Sequence, residues 1–248
     1  MTSTTASPRT GTLLLVRHGR TEGNGQCHVG WLDLPLDSVG VAQAARAAER
    51  LRDWPIAALH ASTLQRARAT ALAIQAGRPG LTMQCHEALR EIDYGELTGR
   101  RKDGPPLRLR HHHIDQPMPG GESLADVDRR VAGLLPALLL PLSLPLSSPL
   151  SSPLSPLAAG ETVAVVAHFW SLRLLLGRLR GLSPREMLAT RDYKPGNGSV
   201  VAVPVQVDPD GGPPRCGPLR ELAIDPEDEA DRADSTEAGE RPARESEA

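Results

Sequence analysis

The chain has 248 residues, of which 40% are hydrophobic, and this proportion suits a globular α/β domain. Residues 225–248 carry ten acidic side chains and three arginines, so removing their charge of −7 from the chain's −2 leaves +5 for residues 1–224. A body this weakly basic favours small anionic ligands and argues against nucleic acid. Three cysteines without paired spacing argue against a secreted disulfide scaffold and a zinc site. No signal-peptide core or long apolar run is present, which predicts a cytoplasmic protein without membrane contact.

The first third of the chain alternates short apolar runs with amphipathic stretches. The runs predict strands at 12–16, 56–61 and 81–85, and the stretches predict helices at 38–52 and 63–76. Asp37 or Ser38 is the expected N-cap of the first helix. This order predicts a three-layer α/β/α sandwich with a mostly parallel central sheet. Ligand sites in such sheets lie beyond the carboxyl ends of the strands, so functional residues are expected directly after strands.

The second half has weaker periodicity and one segment of unusual composition. We predict helices at 123–140 and 171–180 and strands at 162–167 and 199–205. Pro136 is expected to kink or end the first of these helices. Residues 141–157 contain only Pro, Leu and Ser, which predicts an extended low-complexity insertion, with a ligand for a proline-recognition module as the alternative.

These patterns predict one folded domain between two irregular ends. Residues 1–11 are expected to be a flexible N-terminus, residues 12–205 the domain, and residues 206–248 a disordered acidic tail.

Two histidines and two arginines follow predicted strands. His18 comes directly after the first strand and His168 after the strand at 162–167. Arg17 adjoins His18, and Arg66 is in the first turn of the helix after the second strand. Each residue alone is compatible with a structural role. Their joint placement at one sheet edge indicates an anion-binding site.

Six segments in this order resemble the histidine phosphatase (phosphoglycerate mutase-like) superfamily. They are LLVRHGRTEGN (14–24), GWLDLPLDSVGVAQA (30–44), ASTLQRARATA (61–71), LREIDYGELTG (89–99), PGGES (119–123) and VAVVAHFWSLRLLLGRLRG (163–181). One departure is Phe169-Trp170, where the family commonly has two glycines after the second histidine. We expect this pair to narrow the pocket, or to line it for a substrate with an apolar body.

The resemblance implies phosphoryl transfer without a metal or cofactor. His18 would be the nucleophile that forms a phosphohistidine, while Arg17, Arg66 and His168 would hold the phosphoryl oxygens. Asn24 would add a hydrogen bond to the phosphate, although an asparagine here can also simply close a turn. Glu91 would protonate the leaving group and later deprotonate the attacking water, and a surface ion pair is the alternative for this residue.

Other polar clusters give weaker indications. His111 to His113 are more compatible with an exposed loop than with a metal site. The basic residues Arg100, Arg101, Lys102, Arg108 and Arg110 could steer anionic substrates or simply be solvated. Cys27 and His28 are adjacent, without a third group to orient them as a nucleophile pair.

The expected function is phosphomonoester hydrolysis with a small soluble phosphate ester as the partner. A phosphoglycerate-type mutase is the first alternative. The sequence disfavours it, because Glu91 begins Glu-Ile-Asp-Tyr-Gly where mutases usually have Glu-Arg-His-Tyr-Gly. The segment between Gly99 and Gly120 is also short. A catalytically weak phosphate- or phosphoprotein-binding module, impaired by Phe169, is the second alternative. The oligomeric state is not predicted.

Overall fold

The computed structural model describes residues 9–102, 111–143, 161–190, 192–208 and 212–222. The elements in chain order are strand β1 (Arg9–Arg17), helix α1 (Ser38–Arg50), β2 (Ile56–Ser62), α2 (Gln65–Gln75), β3 (Met83–His86), α3 (Leu124–Ser143), β4 (Thr162–Ala167), α4 (Phe169–Arg180), α5 (Pro184–Ala189), β5 (Val200–Val207), β6 (Arg215–Cys216) and β7 (Arg220–Glu221). Three short 3₁₀ helices lie at Glu87–Leu89, Gly95–Leu97 and His111–Ile114. None of the helices described is long and apolar enough to cross a membrane.

All seven strands form one sheet, in the order β3-β2-β4-β1-β5-β6, with β7 also paired to β5. The first four strands in this order are mutually parallel, whereas β5 runs antiparallel to β1 and to its short partners. The prediction of an α/β fold with a mostly parallel sheet flanked by helices is therefore confirmed. Since β4 lies between β1 and β2, the carboxyl ends of these three strands lie side by side.

Strand β1 is apolar because both of its faces are covered. Leu13 and Leu15 pack into the cluster beneath α3 and α4, and Leu14 and Val16 pack into the cluster beneath α1 and α2. A continuous Leu and Val run is typical of a central strand with helices on both faces. The core lies in two layers, one on each side of the sheet.

Helix α3 corrects the expectation that Pro136 kinks or ends the helix. The helix runs from Leu124 to Ser143, through Pro136 and into the first residues of the predicted insertion. Pro136 removes one backbone hydrogen bond, but Leu138 and Leu139 on the next turn are buried against the core. Their burial offsets the lost hydrogen bond, so the helix continues. The rest of the insertion, residues 144–157, lies outside the described residues.

The predicted domain ends also need correction. Strand β1 begins at Arg9, within the segment expected to be flexible, and β5 extends to Val207. The acidic tail was expected to be disordered from residue 206, yet β6 and β7 at 215–216 and 220–221 both pair with β5. Residues 223–248, where the acidic side chains are concentrated, lie outside the part of the chain that the structure describes.

Candidate functional site

The nucleophile candidate His18 lies at the carboxyl end of β1 and is almost fully buried. Its Nδ1 is 2.7 Å from the carbonyl oxygen of Gly19. Because a carbonyl only accepts hydrogen bonds, Nδ1 must carry the proton, and the lone pair of the neutral ring is on Nε2. A nucleophilic imidazole needs such a lone pair, so this contact fixes the reactive tautomer.

Two glycines, one directly after His18 and one in the first turn of α1, allow close packing of the turn that follows His18. A Cβ atom on Gly19 would overlap the carbonyl oxygen of Gly40, and one on Gly40 would overlap the carbonyl oxygen of Arg20. The two backbones therefore approach closely only because both residues lack a side chain. The Gly19 N–H also donates to Thr70 on α2. This packing sets the position of the His18 ring.

Arg66 connects the His18 ring to the loop after β1. Its Nε donates to His18 Nε2 at 3.3 Å, while its two terminal nitrogens donate to the carbonyl oxygens of Gly30 and Leu32 at 2.8 and 2.9 Å. Arg17 Nη1 donates to the carbonyl oxygen of Pro195 at 2.9 Å. Both arginines are buried, so their side chains are held in place before any ligand binds.

His168 completes the cluster from the end of β4. Its ring centroid is 4.8 Å from that of His18, and the side chain is fully buried. Neither ring nitrogen has a hydrogen-bond partner among the residues that the structure describes. A buried polar group without a partner is costly, and a bound oxyanion would supply the missing partner.

Burial and positive charge keep both histidines neutral. The pKa of His18 is held well below its usual value, first by burial and then by Arg66 and Arg17, although the Gly19 carbonyl acts in the opposite direction. The pKa of His168 is likewise well below its usual value because of burial, Arg66 and His18. The site thus combines two guanidinium charges with two neutral imidazoles at physiological pH.

Glu91, the candidate proton donor, lies in the segment after β3 and is 5% exposed. Its carboxylate accepts a hydrogen bond from the backbone N–H of Ile92 at 2.9 Å. It also accepts one from the N–H of Trp170 at 3.1 Å. Trp170 is two residues after His168, so this bond joins Glu91 to the amino end of α4 beside the second histidine. The alternative of an exposed surface ion pair is wrong.

Asn24 has the turn-closing role that the sequence left open. Its Oδ1 accepts hydrogen bonds from the N–H and the hydroxyl of Thr21, at 2.9 and 2.8 Å. The side-chain nitrogen is the part of this amide that could meet a ligand. A phosphate contact by Asn24 stays a prediction.

Phe169 is buried beside the site, and the expectation that it narrows or lines the pocket stays a prediction. Its side chain is 2% exposed and belongs to the core cluster beneath α3 and α4. The guanidinium carbons of Arg17 and Arg173 lie 5.5 and 5.3 Å from the ring centroid, within range of cation–π attraction. Phe169 is the first residue of α4, directly after His168. The Phe169 ring therefore packs against the guanidinium of Arg17 and helps to hold it in place.

Arg130 is a functional candidate that the sequence did not indicate. This α3 side chain donates to the carbonyl oxygens of Ala88, Arg90 and Glu91 at 2.7 to 2.9 Å and forms an ion pair with Glu122 at 2.8 Å. It thereby fixes the segment that carries Glu91. Only the eight-residue spacing between Glu122 and Arg130 hinted at this pair, and a helix arginine is more often solvated.

The weaker candidates from the sequence are distributed over several segments. His111 to His113 form part of a 3₁₀ helix, and no group of three or more His, Cys, Asp or Glu side chains suited to a metal occurs in the described part of the chain. Arg100 and Arg101 are exposed, whereas Arg108 and Arg110 lie outside the described residues. Cys27 contacts the carbonyl oxygen of Gly23.

Comparison with known proteins agrees with this fold and identifies a family. The profile of the histidine phosphatase superfamily (branch 1) matches residues 13–209. A curated relative, 2,3-bisphosphoglycerate-dependent phosphoglycerate mutase from Brucella melitensis, is 37% identical over 191 residues, which cover 71% of this chain and 85% of the relative.

Solved structures give the same class. A mycobacterial glucosyl-3-phosphoglycerate phosphatase matches with a TM-score of 0.68 at 27% identity, covering 84% of this chain and 97% of that one. The α-ribazole phosphatase from Shigella flexneri has a TM-score of 0.66 over 86% and 98% of the two chains, and at 21% identity it supports the fold alone.

The fold, the two neutral histidines and two buried arginines at one sheet edge, and the family match together place the protein in the class of phosphoryl-transfer enzymes. The chain is a member of the histidine phosphatase superfamily, branch 1.

Proposed function

We propose that the protein is a metal-independent phosphomonoester hydrolase that acts through a phosphohistidine on His18. The proposal rests on the tautomer and the hydrogen bonds of the His18 ring. Its Nδ1 proton is held by the Gly19 carbonyl, and its Nε2 lone pair faces Arg66 Nε at 3.3 Å. A phosphoryl group at Nε2 would therefore lie within reach of a guanidinium already in place.

The reaction balances with the residues present. His18 Nε2 attacks phosphorus and the bond to the ester oxygen breaks, while a proton on the Glu91 carboxyl passes to the departing alkoxide. A water molecule then attacks the phosphohistidine, the Glu91 carboxylate takes its proton, and inorganic phosphate leaves with the His18 lone pair restored. Arg17, Arg66 and His168 bind the phosphoryl oxygens in both steps.

The test is phosphate release from a panel of monoesters in the presence of EDTA. We expect turnover that survives the chelator and is abolished in His18→Ala. The matched control is His86→Ala, which replaces a partly buried histidine on β3 whose ring hydrogen bonds to His60 on β2. Full activity in His18→Ala would contradict the mechanism. Absence of turnover on every ester would favour the phosphate-binding module.

A phosphoglycerate-type mutase is the second candidate, supported by the 37% identical curated mutase. A mutase must exclude water and retain its intermediate for return of the phosphoryl group. Incubation with 3-phosphoglycerate and 2,3-bisphosphoglycerate, followed by phosphorus NMR, separates the two. Free phosphate as the main product supports the hydrolase, and interconversion of the phosphoglycerate isomers without phosphate release supports the mutase.

The expected partner is a small soluble phosphate ester. Its identity, the expected absence of nucleic-acid and membrane partners, and the cytoplasmic location stay predictions.

A further inference from the structure

Two adjacent large hydrophobic side chains are exposed beside the catalytic cluster. Trp31 and Leu32 are each 38% exposed. The other large exposed hydrophobics among the described residues are Val41 and Leu72, on the outer faces of α1 and α2. Exposed aliphatic residues on helix surfaces are ordinary, but an exposed indole next to an active site is a candidate for ligand contact.

The indole of Trp31 is fixed in place while remaining exposed. Its Nε1 donates to the carbonyl oxygen of Glu91 at 2.7 Å. The guanidinium carbon of Arg90 lies 5.0 Å from its ring centroid, and that guanidinium is itself held by Thr63 and Glu87 at 2.6 and 3.0 Å. A ring with two anchors loses little conformational entropy when a ligand packs on it.

Hydrogen bonds to main-chain carbonyls connect the Trp31 segment to Arg66 and Glu91, the residues proposed to hold the phosphoryl group and to protonate the leaving group. The carbonyl oxygens on either side of it, those of Gly30 and Leu32, both accept hydrogen bonds from Arg66. Glu91 would donate its proton to the ester oxygen, so the alcohol portion of the substrate must extend past this residue. The Trp31 indole donates to the main-chain carbonyl of Glu91, which places the ring next to this residue.

We propose that Trp31 and Leu32 form the subsite for the alcohol portion of the substrate, and that this portion carries a planar or apolar ring. This inference rests on the proposed hydrolase function and specifies its substrate class. A ring that stacks on the indole removes apolar surface of both partners from water and adds an aromatic contact.

The charges around Trp31 disfavour a small acyclic acid as the substrate. The carboxylate of such an alcohol would need a cation beside the leaving-group oxygen. Arg90, the guanidinium beside Trp31, already hydrogen bonds to the Thr63 hydroxyl and the Glu87 carboxylate. Among the described residues beside Trp31, the large exposed apolar surface is that of the indole and the Leu32 side chain.

The experiment compares 2-phenylethyl phosphate with ethyl phosphate, because both are esters of primary alcohols and differ by one phenyl group. We expect wild-type kcat/KM to be about tenfold higher for the phenyl ester, as one aromatic contact with its buried area would give. Trp31→Leu should bring this ratio close to one, chiefly through KM, and Trp31→Phe should restore part of it. Trp54→Phe, remote on the α1 side of the sheet, is the control and should keep the ratio.

Binding of 2-phenylethylphosphonate and ethylphosphonate, measured by calorimetry, separates this inference from the proposed function. Hydrolysis that depends on His18 but shows no phenyl preference, or a preference that Trp31→Leu leaves intact, overturns the subsite and keeps the hydrolase. If no ester is hydrolysed, tighter binding of the phenyl phosphonate that Trp31→Leu abolishes supports the subsite and contradicts the hydrolase. Equal or undetectable binding of both phosphonates in that case overturns the subsite as well.

Discussion

Glu91 is the proposed general acid, and its proton matters most for esters whose alcohol is a poor leaving group. Glu91→Gln keeps the size and the hydrogen-bond acceptor of the side chain but removes the proton. We expect kcat/KM on alkyl phosphates to fall by about 100-fold or more, as is usual when a general acid is lost. For 4-nitrophenyl phosphate, whose leaving group needs no proton, the first chemical step should be little affected.

The measurement is kcat/KM, which reports the steps up to phosphohistidine formation, for the two ester types in wild type, Glu91→Gln and Glu96→Gln. Glu96 is an exposed glutamate close by in the chain and should tolerate the change. Equal losses on both ester types would place Glu91 outside the proton-transfer step.

Phe169 is the residue at which the chain departs most clearly from the family pattern, and its burial decides its effect. Replacement by the family's glycine empties a fully packed site between Arg17 and Arg173. We expect Phe169→Gly to lower the free energy of unfolding by about 3–5 kcal/mol, as for other buried aromatic truncations. Urea denaturation measures this. Phe169→Leu should retain most of the stability, and a Phe169→Gly protein as stable as wild type would contradict the packing role.

At the scale of elements, α3 carries a proline that costs stability. Pro136 lacks the N–H that would bond to the Ala132 carbonyl, so Pro136→Ala restores one helical hydrogen bond. Alanine also gives the unfolded chain more freedom, which offsets about 1 kcal/mol of the gain. We expect a net stabilisation of about 2 kcal/mol in urea denaturation.

Pro184 provides the matched control for this substitution. It occupies the first turn of α5, after the N-cap Ser183, where proline replaces an N–H that has no helical partner. Pro184→Ala should therefore give no stabilisation. A gain equal to that of Pro136→Ala would show that the helix interior is not the cause.

Elements with a strong repeating pattern were predictable from the sequence. Strand β4 has the predicted bounds, and Asp37 caps α1 by accepting a hydrogen bond from the Gly40 N–H. Both could be predicted because each depends on residues that are close together in the sequence. Strands β6 and β7 were missed. Each has two residues and exists only because β5 offers a partner, which local sequence does not reveal.

The candidate site likewise contains residues that the sequence could predict and residues that it could not. His18, Arg66 and His168 were predictable because each follows a strand at the same sheet edge. Arg130 was not, since its role depends on carbonyl oxygens that come within reach only in the folded chain. The exposure of Trp31 and the burial of Phe169 could not be predicted either, because the residues next to an aromatic side chain in the sequence do not show whether it packs in the core.

At the scale of the whole molecule, the site depends on the order of the parallel strands. His18, Arg66, Glu91 and His168 follow β1, β2, β3 and β4, and these strands are neighbours in the order β3-β2-β4-β1. These four candidates therefore come from four different segments, with Arg17 beside His18 on β1, and none is positioned without the sheet. Burial at this shared edge is also what depresses the pKa values of the two site histidines.

Buried neutral histidines make the stability of the whole fold depend on pH. The pKa of His60 on β2 is lowered to about 4 by burial and by His86, and those of His18 and His168 are also well below 6.5. In the unfolded chain these groups protonate near pH 6.5, so below that pH the unfolded state binds more protons than the folded state. The free energy of unfolding should therefore be fully retained above pH 6.5 and fall steadily between pH 6.5 and 4.

Urea denaturation at pH 7.5, 6.0, 5.0 and 4.5 measures this fall, and His60→Leu tests its origin. The variant removes the buried group that would otherwise have to protonate, so its free energy of unfolding should decline less steeply between pH 6.5 and 4 than that of wild type. Comparing the slopes of the two proteins cancels the carboxylates that titrate in the same range. Parallel slopes would mean that His60 protonates alike in the folded and unfolded chains, and that its burial between β2 and β3 does not hold in solution.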